Sequence, residues 1–252
     1  MTNRVMVWAG ACALIAMLAP QASAVVEDSV IGAWLLDAHD ANEVEDISEN
    51  EHHALVLGQA SFVDGPFGKA YECDGSRLFV PHDDAFITPT FTLMAWVNVP
   101  VIPNDWSMVI LAKDQWPNRN YAMYVAKGVG AVHFAFGTAA RQDVGNFNGA
   151  TVIADGTWHH VAMTYDMEMR RIYVDGVLDA EKPSTAAPGN PGSPVVIGKL
   201  AGGMIDEALI ANEALTQDEI AGAMEQGIQA LLGGRSVDAD GKLATRWADL
   251  RR

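Results

Sequence analysis

The sequence predicts an all-β fold, an antiparallel β-sandwich with one C-terminal helix. Three observations predict it. Trp158, His160, Ala162 and Thr164 alternate with His159, Val161, Met163 and Tyr165, the period-two pattern of a strand with two distinct faces. Extended stretches of this kind recur about every 8–12 residues, with turn residues between them and no helical stretch before residue 215. Thr216-x-x-Glu219 then forms a capping box ahead of Ile220, Ala223, Met224, Ile228 and Leu231, at helical spacing until Gly233-Gly234.

Taken in order, residues 30–35 read as a first strand, followed by an acidic segment over residues 37–51. Short strands are expected near residues 54–57, 70–73 and 77–80, punctuated by Gly58, Asp64-Gly65-Pro66 and Asp74-Gly75. Residues 91–99 form a stronger strand. Phe91, Leu93, Ala95 and Val97 share one face, Thr92, Met94, Trp96 and Asn98 the other. Both faces are largely apolar, as an inner strand covered on both sides requires. Residues 108–112, 121–126 and 131–136 continue the series, the last two joined by Gly128-Val129-Gly130.

The strand at 158–165 turns through residues 166–169 into 170–176, where Asp175-Gly176 suits a two-residue hairpin loop. This meander of three strands cannot hide its apolar face without a second sheet against it. Residues 183–194, rich in proline, read as a surface loop, and 194–198 and 204–210 as closing strands. Trp34, Trp96 and Trp158 are expected in the core between the layers.

The chain has 252 residues, half of them apolar, which suits one large all-β domain or two small ones. Residues 1–24 read as a signal peptide: Arg4 begins it, residues 5–18 are its apolar run, and Ala22-Ser23-Ala24 is its cleavage signal. A membrane span needs about 20 apolar residues, and Pro20-Gln21 ends this run too early. The expected domain is therefore 25–232, with 233–252 as a C-terminal tail carrying Trp247 and Leu250. Export places the protein outside the cell or in a periplasm, with no membrane insertion after cleavage. Loss of Cys12 with the leader leaves Cys73 alone, so the fold rests on its core and not on a disulfide. A net charge of −16 disfavours nucleic acid and anionic membrane, which need neutralising Lys or Arg.

Several segments resemble laminin G-like domains of the concanavalin A-like lectin/glucanase superfamily. The resemblance is carried by Asp155-Gly156-Thr157-Trp158-His159-His160-Val161-Ala162 with Ile172-Tyr173-Val174-Asp175-Gly176. Four further pieces follow the family's order: Gly32 to Asp37, Gly68-Lys69-Ala70-Tyr71 with Asp74-Gly75, Phe91 to Val97, and Gly203 to Ala208 with Leu215-Thr216 and Glu219-Ile220. The resemblance covers roughly residues 30–224 and implies a jelly-roll sandwich that hosts lectins, adhesion modules, glycan-binding modules and hydrolases alike. There are two departures. The loop from Asp46 to Ala54 lacks the family's glycines, and Met167 stands where a glycine usually follows the Tyr-Asp of the central strand.

The resemblance also implies a structural Ca²⁺ between the acidic loop and the closing strand, with Asp46 and Asp206 as ligands and Asp37 or Asn50 as lesser ones. Such an ion takes about 6–8 oxygen ligands in irregular geometry. The alternative is that these carboxylates cap turns or pair with cations. His52-His53 and His159-His160 are adjacent pairs that point to opposite faces, which does not suit one transition metal.

Glycoside hydrolysis needs two carboxylates facing one cleft, about 5–5.5 Å apart for retention. Glu45-Asp46 and Asp206-Glu207 are adjacent and point apart, and no catalytic pair is found. Trp106 and Trp116 sit among Pro, Asn, Asp and Arg in segments that read as loops. An apolar indole beside polar side chains suits a sugar ring, and Arg119, Asn120 and Tyr121 extend that candidate site. The reading is an exported, non-catalytic module that binds an extracellular glycan or a cell-surface or matrix protein. The alternatives are a glycan-active hydrolase or lyase on the same fold, and an architectural spacer.

Overall fold

A computed structural model describes residues 29–38, 42–116, 118–138, 140 and 145–232. The expected signal peptide (1–24) and tail (233–252) lie outside the described residues. In chain order the strands are β1 (Val30–Trp34), β2 (Glu43–Val44), β3 (Ala54–Leu57), β4 (Ser61–Asp64), β5 (Lys69–Glu72), β6 (Arg77–Val80), β7 (Phe91–Asn98) and β8 (Val109–Gln115). There follow β9 (Asn118–Val125), β10 (Ala131–Ala135), β11 (Phe147–Val152), β12 (Trp158–Tyr165), β13 (Met169–Val174), β14 (Val177–Pro183), β15 (Val195–Lys199) and β16 (Met204–Ala211). Two helices, α1 (Gln217–Gln226) and α2 (Ile228–Leu231), end the described chain.

The strands form two antiparallel sheets. The first runs β14-β13-β12-β7-β16-β5-β4, with β1 also on β16, and the second runs β11-β10-β9-β8-β15-β6-β3-β2. β7 lies at the centre of the first sheet, in unbroken register with β12 from Phe91↔Tyr165 to Asn98↔Trp158. On its other side β16 carries a bulge between Asp206 and Leu209, where Glu207 takes a φ of 53°. Met204 and Ile205 pair with β5, while Ala208 to Ala211 pair with β1. The bulge bends one strand to serve two neighbours along the same edge.

The main core lies between the sheets. Leu93, Ala95 and Val97 of β7 and Val161, Met163 and Tyr165 of β12 meet Tyr121, Met123 and Val125 of β9 and Phe134 of β10. Each such large side chain contributes about 1.5–3 kcal/mol on burial. Alternation sends Met94 and Ala162 to the opposite face, where they join Tyr173 and Leu209 under Ile220, Ala223, Ile228 and Leu231 of the helices. The helices thus cover part of the outer face of the first sheet. Cys73 is buried, and desolvation pushes its thiol up to about 12.

Four expectations need correction. Trp34 is fully buried in the core, but Trp96 and Trp158 are half-buried on the outer face of the first sheet. Ala95 and Val97 point inward, so Trp96 must point outward, where its ring lies 5.5 Å from that of His160. The single helix is broken at Gly227, whose φ of 80° does not continue a helix. The capping box of Thr216 and Glu219 is present as expected.

β2, β4 and β11 lie where no strand was expected. β11 holds Asn148 and Gly149 and takes its extended form from pairing with β10 at the sheet edge. Asn118 to Asn120, read as loop, belong to β9. The Asp175-Gly176 loop holds, with φ of 51° and 76°, the pair of positive values that a two-residue hairpin of this kind demands.

Candidate functional site

The outer face of the second sheet carries Val109, Ala112, Ala122, Tyr124 and Ala135. Val109, Tyr124, His133 and Asn148 stand side by side across β8, β9, β10 and β11. Over this row the β7–β8 connection places Trp106, and the tip of the β8–β9 hairpin places Trp116. Between the two indoles lies a cleft of about 500 Å³, walled further by Asp114, Arg119, Tyr124, His133 and Asn146. Trp116 is 72% exposed and Trp106 51% exposed. Trp106 rests against His133 at 4.5 Å between ring centroids, and His133 Nδ1 lies 2.6 Å from Asn148 Oδ1. The platform is therefore fixed by a histidine that is itself fixed by an asparagine.

The polar floor is one connected unit. Arg119 Nε donates to Asp114 Oδ1 at 2.9 Å, and the Tyr124 hydroxyl donates to Asp114 Oδ2. The Arg119 guanidinium also lies 5.9 Å from the centre of the Tyr124 ring. Burial, helped by the neighbouring Asp114 carboxylate, raises the Tyr124 phenol well above its ordinary range, so it stays a donor. The ion pair is largely shielded, at 13% and 15% side-chain exposure. Removing one partner of a fully buried pair costs roughly 3–5 kcal/mol, and this pair approaches that regime.

A bulge sets this arrangement. Lys113 pairs with Tyr121 and Asp114 with Arg119, so Asn120 is the extra residue on β9. Without it, strict alternation would turn Arg119 to the same side as Tyr121, into the core. Of the five residues proposed for ligand contact, the structure brings Trp106, Trp116 and Arg119 together. Asn120 and Tyr121 are not in the cleft. Asn120 is buried, donating from Nδ2 to the Gly189 carbonyl at 2.7 Å and accepting weakly from Thr88 N. Tyr121 is buried in the core, its ring 5.2 Å from that of Phe91. Asp114, Tyr124, His133 and Asn146 were missed. Tyr124 and His133 were readable as the outward members of strands whose inward members are Met123, Val125, Val132 and Phe134. Asp114 was hidden by the bulge.

The calcium ligands implied by the resemblance fare differently. Asp46 Oδ1 accepts from Ala33 N and Ser48 N, and Oδ2 accepts from Ser48 Oγ and His52 N, all at 2.7–2.9 Å. All four lone-pair directions of the carboxylate are in use, leaving none for an ion. Asp206 Oδ2 accepts from Phe67 N at 3.1 Å, while its buried Oδ1 has no hydrogen-bond partner. Burial, reinforced by Glu207 and Asp37, pushes Asp206 up to about 8, and burial pushes Glu207 to about 7. Asp37 Oδ1 accepts from Lys69 N, and Asn50 Nδ2 donates to the Val30 carbonyl. Among the described residues no group of three His, Cys, Asp or Glu is arranged to hold a metal ion. Of the implied ligands, Asp46 is thus spent on local donors, and Asp206 Oδ1 is the buried carboxylate oxygen left without one.

One further constellation has the outline of a nucleophile–base–acid chain. Thr157 Oγ1 lies 3.1 Å from His159 Nε2, and His159 Nδ1 lies 2.9 Å from Asp175 Oδ2. The hydroxyl, however, donates to Asp155 Oδ1 at 2.7 Å, so it accepts from the imidazole instead of surrendering a proton to it. Burial lowers the His159 pKa, but Asp175 and Asp155 outweigh it and the net shift is upward. This chain is a charged lock between the turn before β12 and the β13–β14 hairpin.

Solved structures with this architecture are numerous. The binding domain of Paraclostridial Mosquitocidal Protein 1 superposes with a TM-score of 0.65 at 15% identity, over 79% of this chain and 52% of that one. Domain 4 of AbnA, a GH43 extracellular arabinanase from Geobacillus stearothermophilus solved with arabinotriose, gives 0.61 at 17% identity, over 77% and 97%. A botulinum neurotoxin type C structure, described as dependent for cell entry on two ganglioside molecules, gives 0.62 at 15%, over 79% and 51%. The chain spans about half the length of the two toxin chains. At such identities the likeness is one of fold. No curated protein matches the sequence. A family model does match, over residues 74–221, more than half of the chain: the protein belongs to the Laminin G 3 family of the concanavalin A-like lectin/glucanases superfamily.

Proposed function

We propose that this protein is an exported, non-catalytic glycan-binding module and that the outer-face cleft is its ligand site. The observation that carries the reading is the pair of exposed indoles, Trp106 and Trp116, on either side of the Asp114–Arg119–Tyr124 floor. A sugar ring presents apolar C–H faces and a rim of hydroxyls. An indole covers the first, and a carboxylate with a guanidinium serves the second. The architecture agrees, since an arabinanase domain with this fold was solved with arabinotriose and a toxin with this fold depends on gangliosides. Asp114 is the carboxylate among the described residues lining the cleft, and both its oxygens are engaged by Arg119 and Tyr124. That is not the pair of opposed carboxyl groups that glycoside hydrolysis uses.

The test is binding by the mature protein across plant, algal and bacterial oligosaccharides, with Trp116→Ala and Trp106→Ala as controls. Each substitution should weaken binding at least tenfold, about 1.4 kcal/mol. Trp116→Ala, a surface change, should leave the melting temperature within the range of ordinary surface substitutions. Binding that ignores both indoles would move the site elsewhere, and no binding to any glycan would favour a protein partner.

A further inference from the structure

We infer that the cleft selects uncharged saccharides and rejects glycans bearing carboxylate or sulfate groups, an inference that rests on the cleft being the glycan site. Recognition of an acidic sugar calls for a cation whose charge is available to the ligand, most effectively an Arg offering its fork. Among the described residues lining this cleft the cation is Arg119, and its charge is already answered. Asp114 stands directly opposite on the adjacent strand, 2.9 Å from Arg119 Nε, with both side chains mostly shielded from water.

Asp114 is not free to leave. Its second oxygen holds the Tyr124 hydroxyl, so a ligand carboxylate that drew Arg119 away would strand a shielded carboxylate that the buried phenol keeps in place. The sum of charge over Asp114, Arg119 and Tyr124 is zero, and His133 and Asn146 add polar groups that suit hydroxyls. The long-range field points the same way, since the chain carries 32 acidic against 16 basic residues and so repels polyanions before contact. A neutral sugar meets none of these barriers. Its hydroxyls can donate to Asp114 and accept from Arg119 with the pair intact, while its apolar face lies on Trp116.

The experiment titrates the full mature protein by calorimetry with matched probes: arabino-, xylo-, cello- and galacto-oligosaccharides against oligogalacturonate and sialyllactose. The expected result is binding of at least one neutral series that Trp116→Ala removes, with acidic probes at least tenfold weaker. Asp114→Asn, with its fold checked by circular dichroism, should release the charge of Arg119 and raise affinity for oligogalacturonate at least tenfold. Equal or stronger binding of acidic probes by the unaltered protein, through Trp116, would overturn the selectivity and leave the glycan site standing. Loss of every probe, or binding indifferent to Trp116, would overturn the glycan site itself. Should Asp114→Asn fail to fold, the neutral-against-acidic comparison on the unaltered protein decides alone.

Discussion

Arg119 stands directly opposite Asp114 across the β8–β9 pair because Asn120 is an extra residue in the strand. The bulge at that residue holds the cation on the cleft side, where regular alternation would carry it to the core side with Tyr121, and sends an amide inward to the Gly189 carbonyl. The ion pair is a product of strand register, and its energetics follow from shielding.

Asp114→Ala is expected to destabilise the protein by about 2 kcal/mol, because it leaves Arg119 shielded without its carboxylate and Tyr124 without its acceptor. The double change Asp114→Ala with Arg119→Ala should cost less than the sum of the two single changes, since no stranded charge is left. Urea unfolding of the four proteins measures this directly. Strictly additive costs would mean that the two side chains do not depend on one another.

Asp46 gives the second prediction. It ties β1 to the acidic loop through three backbone N–H groups and one hydroxyl. Asp46→Ala should therefore lose 3 kcal/mol or so, the sum of several buried donors left without partners, while EDTA should leave the melting curve of the unaltered protein in place. A rise in melting temperature with added Ca²⁺ that disappears in Asp206→Asn would restore the ion, with Asp206 Oδ1 as its ligand.

Stability against pH should report buried groups of opposite sign, Asp206 with Glu207 in one sense and His160 in the other. Burial raises the folded pKa of Asp206 to about 8 from an ordinary 3.8, so its contribution is fully present below the unfolded value and is lost as pH rises toward 8. The folded pKa of His160 is lowered by burial to about 4 from 6.5, so its contribution is present above 6.5 and lost as pH falls toward 4. Asp206→Asn removes its own group and leaves Glu207 and His160. Relative to the unaltered protein, the variant should gain on the order of 3 kcal/mol between pH 5 and pH 8. Paired unfolding curves at those two values would show it, and a constant difference would mean that Asp206 is ionised throughout.

The fold was legible wherever one strand has neighbours on both sides and a packed face to satisfy. Residues 91–98 and 158–165 alternate cleanly because every position is held by a partner, and Thr216 with Glu219 marks the helix start by chemistry that works locally. What was not legible came from features that a single strand does not encode. Trp96 and Trp158 were assigned to the inter-sheet core because an apolar residue in a sheet packed on one face and partly covered on the other gives no sign of which face it takes. The cleft was half-visible. Its exposed indoles stand out in polar loops, whereas Asp114, Tyr124 and His133 meet only through the bulge at Asn120 and the lateral register of three strands. The departure at Met167 was visible too, and the residue does take a left-handed φ of 69°.

The last prediction concerns the sandwich edge. β11 and β14 are the outermost strands of their sheets on the same side of the molecule. Asp179 of β14 joins them, accepting from Ala150 N at 2.7 Å, from Thr151 N at 3.1 Å and from Thr151 Oγ1 at 2.6 Å. Gly149 makes room for that carboxylate, because a Cβ at this position would collide with Asp179 Oδ2. An unpaired strand edge invites association with another chain, and here a side chain occupies the donors that such pairing would use. The bonds are exposed, so Asp179→Ala should cost only about 1 kcal/mol. Amide exchange at Ala150 and Thr151 should accelerate, and the variant should associate at concentrations where the unaltered protein does not. Gly149→Ala should reproduce both effects by displacing the carboxylate without removing it. Unchanged exchange at these two amides in both variants would show that the edge is protected by something other than Asp179.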